Sequence, residues 1–141
     1  MATTVYLTNP TINITQGATT TDFTDNTSSI TATLGYTSLE TTAFGSTGLS
    51  YAPGLATSEI SMTVFMAYGA AEIEAALATY VGTGTTVLVF SPAGTVESAS
   101  NPEFTVTGAM LAAYDVVVGT VNELSVVELS WTGGTWVRDV T

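Results

Sequence analysis

Apolar and polar residues alternate with a period of two along most of this chain, the pattern of half-buried β-strands. Between Ser28 and Tyr36, the residues Ile30, Ala32, Leu34 and Tyr36 fall on one face and Thr31 and Thr33 on the other. The alternation is longest from Ser58 to Tyr68, where Ile60, Met62, Val64, Met66 and Tyr68 share a face that opposes Glu59, Ser61 and Thr63. Phe65 interrupts the polar side, which predicts a strand end covered on both faces. Thr86–Phe90, Phe104–Leu111 (Thr105 and Thr107 outward) and Glu123–Trp131 (Val127, Leu129 and Trp131 inward) extend the pattern. Shorter strands are predicted at Val5–Thr8, Thr11–Thr15 and Thr135–Asp139.

One segment breaks this rhythm. From Gly69 to Tyr80, Ile73, Ala76, Leu77 and Tyr80 recur at helical spacing, an apolar stripe suited to packing on a sheet. Glu72 and Glu74 fall in the early turns, where the helix dipole favours acids, and Gly82 and Gly84 follow as stop signals. Two stretches read as loops. Gln16–Thr27 is rich in Thr, Asp and Asn, and Thr37–Thr57 holds Gly45, Gly48, Gly54 and Pro53. The second is long for a connection in a compact domain. It also carries Leu39, Phe44, Leu49, Tyr51 and Leu55, too apolar for a solvated linker, and is therefore expected to lie against something else. The expected fold is α+β, mainly antiparallel β: a small β-sandwich or half-barrel, one domain over residues 1–141, flanked by one helix at about 69–80, with a long loop at about 37–57.

Composition narrows the chemistry. The chain has 141 residues, no cysteine and no histidine, with Arg138 as its single base against twelve acids, for a net charge of −11. Polarity rests instead on 29 threonines, whose β-branched side chains suit strands. One arginine cannot neutralise the phosphates on which nucleic-acid affinity depends, and the same deficit argues against anionic membranes. No apolar run approaches the ~18 residues of a membrane span; Val116–Val118 is typical of how briefly they last. Met1–Thr4 lacks the basic and apolar regions of a signal peptide. Zinc sites of the nitrogen or sulfur kind have no ligands here.

The remaining candidates are weak. Glu72 and Glu74 point in different directions on a helix and form no dyad. Asp22 and Asp25 supply oxygen donors for a hard cation, but their spacing matches no EF-hand loop and suits a turn better. Ser and Thr hydroxyls lack a partner base, and Gly82-Thr83-Gly84 follows a helix where a phosphate cradle would open one. Sequons at Asn13 and Asn26 carry little weight in so Thr-rich a chain. Arg138 suggests an ion pair with an acid such as Asp139, or a subunit contact. No cofactor is expected, and the residues point to a structural subunit and not to an enzyme.

The order of five segments resembles the tail tube (major tail) proteins of long, flexible-tailed bacteriophages of actinobacteria. They are Leu39–Gly48, Gly54–Phe65, Ala70–Leu77, Ser98–Gly108 and Gly119–Gly134. The resemblance implies a β-sandwich subunit that assembles with itself, six to a ring, the inner strands joining into one barrel and the rings stacking into a virion tail tube. It implies synthesis in the host cytoplasm, other tail proteins at the tube ends, and DNA that passes through without being bound. The Thr37–Thr57 loop, with Leu39, Phe44, Leu49, Tyr51 and Leu55, falls where such subunits bridge to neighbours. Acids in the bore would repel phosphate; Glu59 is the first candidate, with Glu123 and Glu128 on opposite faces of their strand. Two other classes fit the composition: a capsid decoration protein, and a carbohydrate-binding β-sandwich using Trp131 or Trp136, of which Trp131 continues a core face.

Overall fold

Within the described residues the alternating segments form strands over most of their length, because β-branched and aromatic side chains on one face meet a common core while Thr and Ser face water. The structure is a computed structural model and describes residues 10–94 and 96–141; the strand expected at Val5–Thr8 lies outside them. In chain order the elements are β1 (Thr11–Gln16), β2 (Thr19–Asp22), β3 (Thr27–Glu40), β4 (Tyr51–Phe65), α1 (Ile73–Tyr80), β5 (Thr86–Ser91), β6 (Glu103–Leu111), β7 (Val126–Thr132) and β8 (Thr135–Asp139). The strands pair antiparallel in the order β2-β1-β5-β6-β7-β4-β3, and β8 also pairs with β6. The fold is thus mainly antiparallel β with a single short helix among the described residues.

Strand β6 belongs to two sheets. Its first half, Glu103–Thr107, pairs with β8, whereas Met110 and Leu111 pair with β7. The change occurs at Gly108, which has φ +85° and is the extra residue of a bulge opposite the Thr86–Val87 step of β5. The bulge reverses the phase of the strand: Val106 is buried, and beyond Gly108 the buried residues are Ala109 and Leu111. Strict alternation from Phe104 would have placed Met110 inside; it is exposed. The two sheets fold toward each other about this corner and enclose one core. Ile12, Ile14, Leu88 and Val106 come from one side and Ile60, Met62, Val64, Leu129 and Trp131 from the other.

Helix α1 seals an edge of this core. Ile73, Leu77 and Tyr80 are buried, with Ala76 packed beside them. The Tyr80 ring lies 6.2 Å from Phe23 and 5.6 Å from Trp131, both tilted. The helix begins later than its alanine content predicts. Gly69 at φ +148° and Ala71 at φ +65° break the backbone first, and Glu72 is the N-cap residue, outside the helix.

Several other expectations are corrected. Most of Thr37–Thr57 is not a loop: β3 runs on to Glu40 and β4 begins at Tyr51, leaving a turn at 41–50. Gln16–Thr27 likewise contains β2, which folds back on β1 around Gly17. Strand β4 ends at Phe65, so Tyr68 lies past the alternation and is exposed, and Phe65 is itself exposed where coverage on both faces was expected. On β3, Ala32 and Tyr36 are exposed while Ile30 and Leu34 pack on the core. Glu123 lies in the turn before β7, not on a strand.

Candidate functional site

The outward face of β3, β4 and β7 is built from three cross-strand rows, since residues in register on antiparallel strands point to the same side. Glu59 is in register with Thr33 and Thr132, Ser61 with Thr31 and Ser130, and Thr63 with Ser29 and Glu128. Hydroxyls therefore fill the face, with one carboxylate, Glu59, in the middle of one outer row and the other, Glu128, at the β7 end of the opposite row. Part of it forms a shallow depression of about 410 Å³ lined by Ser29, Thr31, Ser61, Thr63, Glu128 and Ser130. Glu59 and Glu128 stand four residues apart along the register, about 13 Å at the usual strand rise. That exceeds the carboxylate spacings of about 5–9.5 Å used in glycoside hydrolysis. The face is suited to repelling anions and to hydrogen bonding with water. Glu123, the third sequence candidate, does not join it.

The β3–β4 hairpin extends this sheet beyond the core. Here alternation no longer sends apolar residues inward, because neither face is fully buried: Leu39, Tyr51 and Leu55 on the strands and Phe44 and Leu49 in the turn are all exposed, Phe44 completely. A bulge at Gly54–Leu55 opposite Thr37 separates the ribbon from the regular sheet. Thr37 Oγ1 accepts the Leu55 N–H at 2.9 Å. Gly54 leaves room for that hydroxyl, since a Cβ there would collide with it and come 3.2 Å from the Thr37 carbonyl. The turn is closed by Thr41 N donating to the Ser50 carbonyl at 2.8 Å and Ser50 N to Thr42 Oγ1 at 2.9 Å.

A second apolar surface went unread in the sequence. The β6–β7 connection, residues 112–125, exposes Val116, Val117, Val121 and Leu124. It lies at the Phe65 end of β4, opposite the hairpin tip, where Met66 N donates to the Ser125 carbonyl at 2.9 Å and Tyr68 Oη to the Val116 carbonyl at 2.8 Å. Tyr114 anchors it by donating to Glu74 Oε1 at 3.1 Å. Partial desolvation, then that hydrogen bond and the carboxylate's charge, push the Tyr114 phenol above its ordinary value. The only available signal was the Val116–Val118 run, and its period is neither two nor 3.6.

The remaining candidates separate. Asp22 Oδ1 accepts the Thr24 N–H at 2.8 Å, the bond of a tight turn, as the D-x-x-D reading anticipates. Trp131 is completely buried, and its Nε1 has no oxygen partner among the described residues. Trp136 is half-buried, its ring tilted against Tyr36 at 5.5 Å, with Nε1 donating to the Gly35 carbonyl at 3.0 Å. Neither ring offers a free platform for a sugar. Asp139, the expected partner of Arg138, accepts instead from Thr141 N and Oγ1, both at 2.9 Å, which hold its carboxyl below the usual range.

No family model and no curated protein matches the sequence. Solved structures do match in fold. The SPP1 tail tube superposes with a TM-score of 0.70 at 9% identity, covering 94% of this chain and 77% of that one. The sheath/tube terminator of the PVC extracellular contractile injection system gives 0.65 at 12% identity, covering 98% of each chain. A chain of the native gene transfer agent virion gives 0.62 at 13% identity, covering 91% and 95%. At these identities the likeness is one of fold.

Proposed function

We propose that this chain is a structural subunit of a phage-like tail, acting as one domain that self-assembles into stacked rings, six subunits to a ring, around a bore through which DNA passes. The observation that carries the reading is the outward face of β3, β4 and β7: a three-strand surface of Ser and Thr with Glu59 and Glu128 and no base, on a fold like that of the SPP1 tail tube. In a ring this face lines the bore. Fixed carboxylates there repel phosphate, and hydroxyls present a wetted wall that offers DNA no cation to displace counterions. Salt confines the repulsion to about 8 Å of the wall, so it acts where DNA would otherwise touch.

Assembly then rests on apolar contact, because subunits of charge −11 repel one another. The exposed hairpin residues Leu39, Phe44, Leu49, Tyr51 and Leu55 are the subunit contacts in this reading, and β3, which among the described residues pairs on one side only, presents an edge that a neighbouring strand would complete. Apolar surfaces at opposite ends of the subunit suit head-to-tail stacking, which does not close on itself. The subunit belongs to the virion tail, is made in the host cytoplasm and meets other tail proteins at the tube ends. The test is electron microscopy of the concentrated protein, with sedimentation across a concentration series. Rings and tubes are expected; strict monomers at high micromolar concentration in moderate salt would overturn the reading. Rings that never stack would favour a terminating subunit, whose fold this chain also resembles.

A further inference from the structure

We infer that the side of the sandwich left open among the described residues is the seat of a second copy's hairpin tip, held by Phe44 in an apolar cleft and by an ion pair between Arg138 and Glu40. The inference rests on the self-assembly reading and assigns the receiving surface. Four inward-facing residues run in register across one sheet: Ile12 on β1, Phe90 on β5, Phe104 on β6 and Arg138 on β8. The first three are apolar, and the Phe90 and Phe104 rings stack at 5.9 Å. The fourth is the only base in the chain, exposed at the end of the row. Across from this row, Ile30 and Ala32 of β3 complete a cleft of about 220 Å³, room for a large side chain.

Pro10 and Pro92 form part of its rim. Neither has a backbone N–H, so that rim favours an inserted side chain over an added strand. Glu103 and Asp139 alternate to the opposite face of their strands from Arg138, and Asp139 is engaged by Thr141. An occupant matching the cleft therefore needs an aromatic or aliphatic side chain close to a carboxylate. The hairpin carries both, Phe44 fully exposed and Glu40 exposed at the end of β3. A hairpin cannot fill the cleft of its own chain: Ala32 and Glu40 lie on one extended strand, about 26 Å apart at the usual rise, with the turn pointing further away. The hairpin must come from another copy.

The chain has no cysteine, so single introduced thiols report contacts cleanly. Full-length Ala43→Cys and Ala32→Cys variants, mixed, assembled and treated with a short bis-maleimide, should give a covalent dimer. Arg138→Glu and Glu40→Arg should each raise the concentration needed for assembly about fivefold or more, a coupling near 1 kcal/mol. Their combination should restore it. Glu40→Arg is informative because it makes the chain less negative, which by overall charge alone would aid assembly. Assembled material with no Ala43–Ala32 cross-link and no rescue by the charge swap overturns the inference alone. So does an intrachain cross-link between Tyr6→Cys and Ala32→Cys, which would make residues 1–9 the occupant, or an Ala43→Cys cross-link to Val117→Cys instead. No assembly of the unaltered chain under any condition overturns the inference together with the reading beneath it.

Discussion

Gly134 lies against Gly108 where the chain passes from one sheet to the other: a Cβ added to Gly108 would stand 3.8 Å from the Gly134 Cα. Gly108 turns β6 through its bulge, and Gly133 and Gly134, at φ +82° and +93°, turn β7 into β8 beside it. A Cβ on Gly134 would come 2.5 Å from the Thr107 carbonyl oxygen, whereas one on Gly133 would meet nothing within 4 Å. Gly133→Ala therefore carries only the left-handed backbone penalty, about 1–2 kcal/mol. Gly134→Ala should cost more, at least about 2 kcal/mol, because rigid backbone must also move. Thermal melts of the two variants should show Gly134→Ala with clearly the lower midpoint; equal midpoints would count against a packed corner.

The helix makes a second comparison. Leu77 is fully buried beneath α1, so Leu77→Ala should destabilise the subunit by about 2–5 kcal/mol. Glu74→Ala removes the acceptor for the Tyr114 hydroxyl, a loss of about 0.5–1.5 kcal/mol, and an acid in the first helical turn worth about 0.3–1 kcal/mol. Denaturant titration separates the two, and proteolysis within residues 112–125 should quicken in Glu74→Ala alone.

Stability should be nearly flat around neutral pH, because the chain has no histidine. Burial raises the Tyr80 phenol, with the Thr21 hydroxyl partly opposing it, and Tyr114 is raised as well. A phenol raised in the folded state favours the protonated fold, so its contribution is complete below the ordinary tyrosine value of 10.0 and is lost as pH climbs above it. Asp139 works in the opposite sense: its lowered carboxyl contributes above the ordinary 3.8 and loses that contribution as pH falls below it. Melting midpoints measured from pH 3 to 11 should fall at the alkaline end, with absorbance of the tyrosinate rising together with unfolding.

Charge on the hydroxyl face can be tested separately from folding. Glu59→Lys and Glu128→Lys alter exposed side chains and should change stability by no more than about 0.5 kcal/mol. If this face lines the bore as proposed, each should slow DNA passage in assembled tails, since a lysine there engages phosphate. Glu123→Lys, off that face, should leave passage unchanged. Normal passage through well-formed tubes carrying lysine at both positions would sink the electrostatic account and leave the tube intact.

The local pattern of residues was enough to place the strands that cover the core, because Ile60, Met62, Val64, Val127, Leu129 and Trp131 must leave water together and period two is how a strand does so. The stripe Ile73, Ala76, Leu77 and Tyr80 identified the helix for the same reason, although its start, displaced by the backbone at Ala71, did not show. Tertiary structure decided wherever that rule loses force. Beyond the core neither face of the hairpin is buried, so Thr37–Glu40 and Tyr51–Thr57 alternate nothing and read as loop, yet backbone pairing makes them strands. At Gly108 a single inserted residue reverses which side chains are inside, which composition does not reveal. Glu59 and Glu128 share a face only because β4 and β7 pair in one register; far apart in the chain, they had no local signal of each other. Arg138 could be counted but not placed: that it ends the row Ile12, Phe90 and Phe104 follows from the order in which four strands pair, a property of the sheet and not of any one segment.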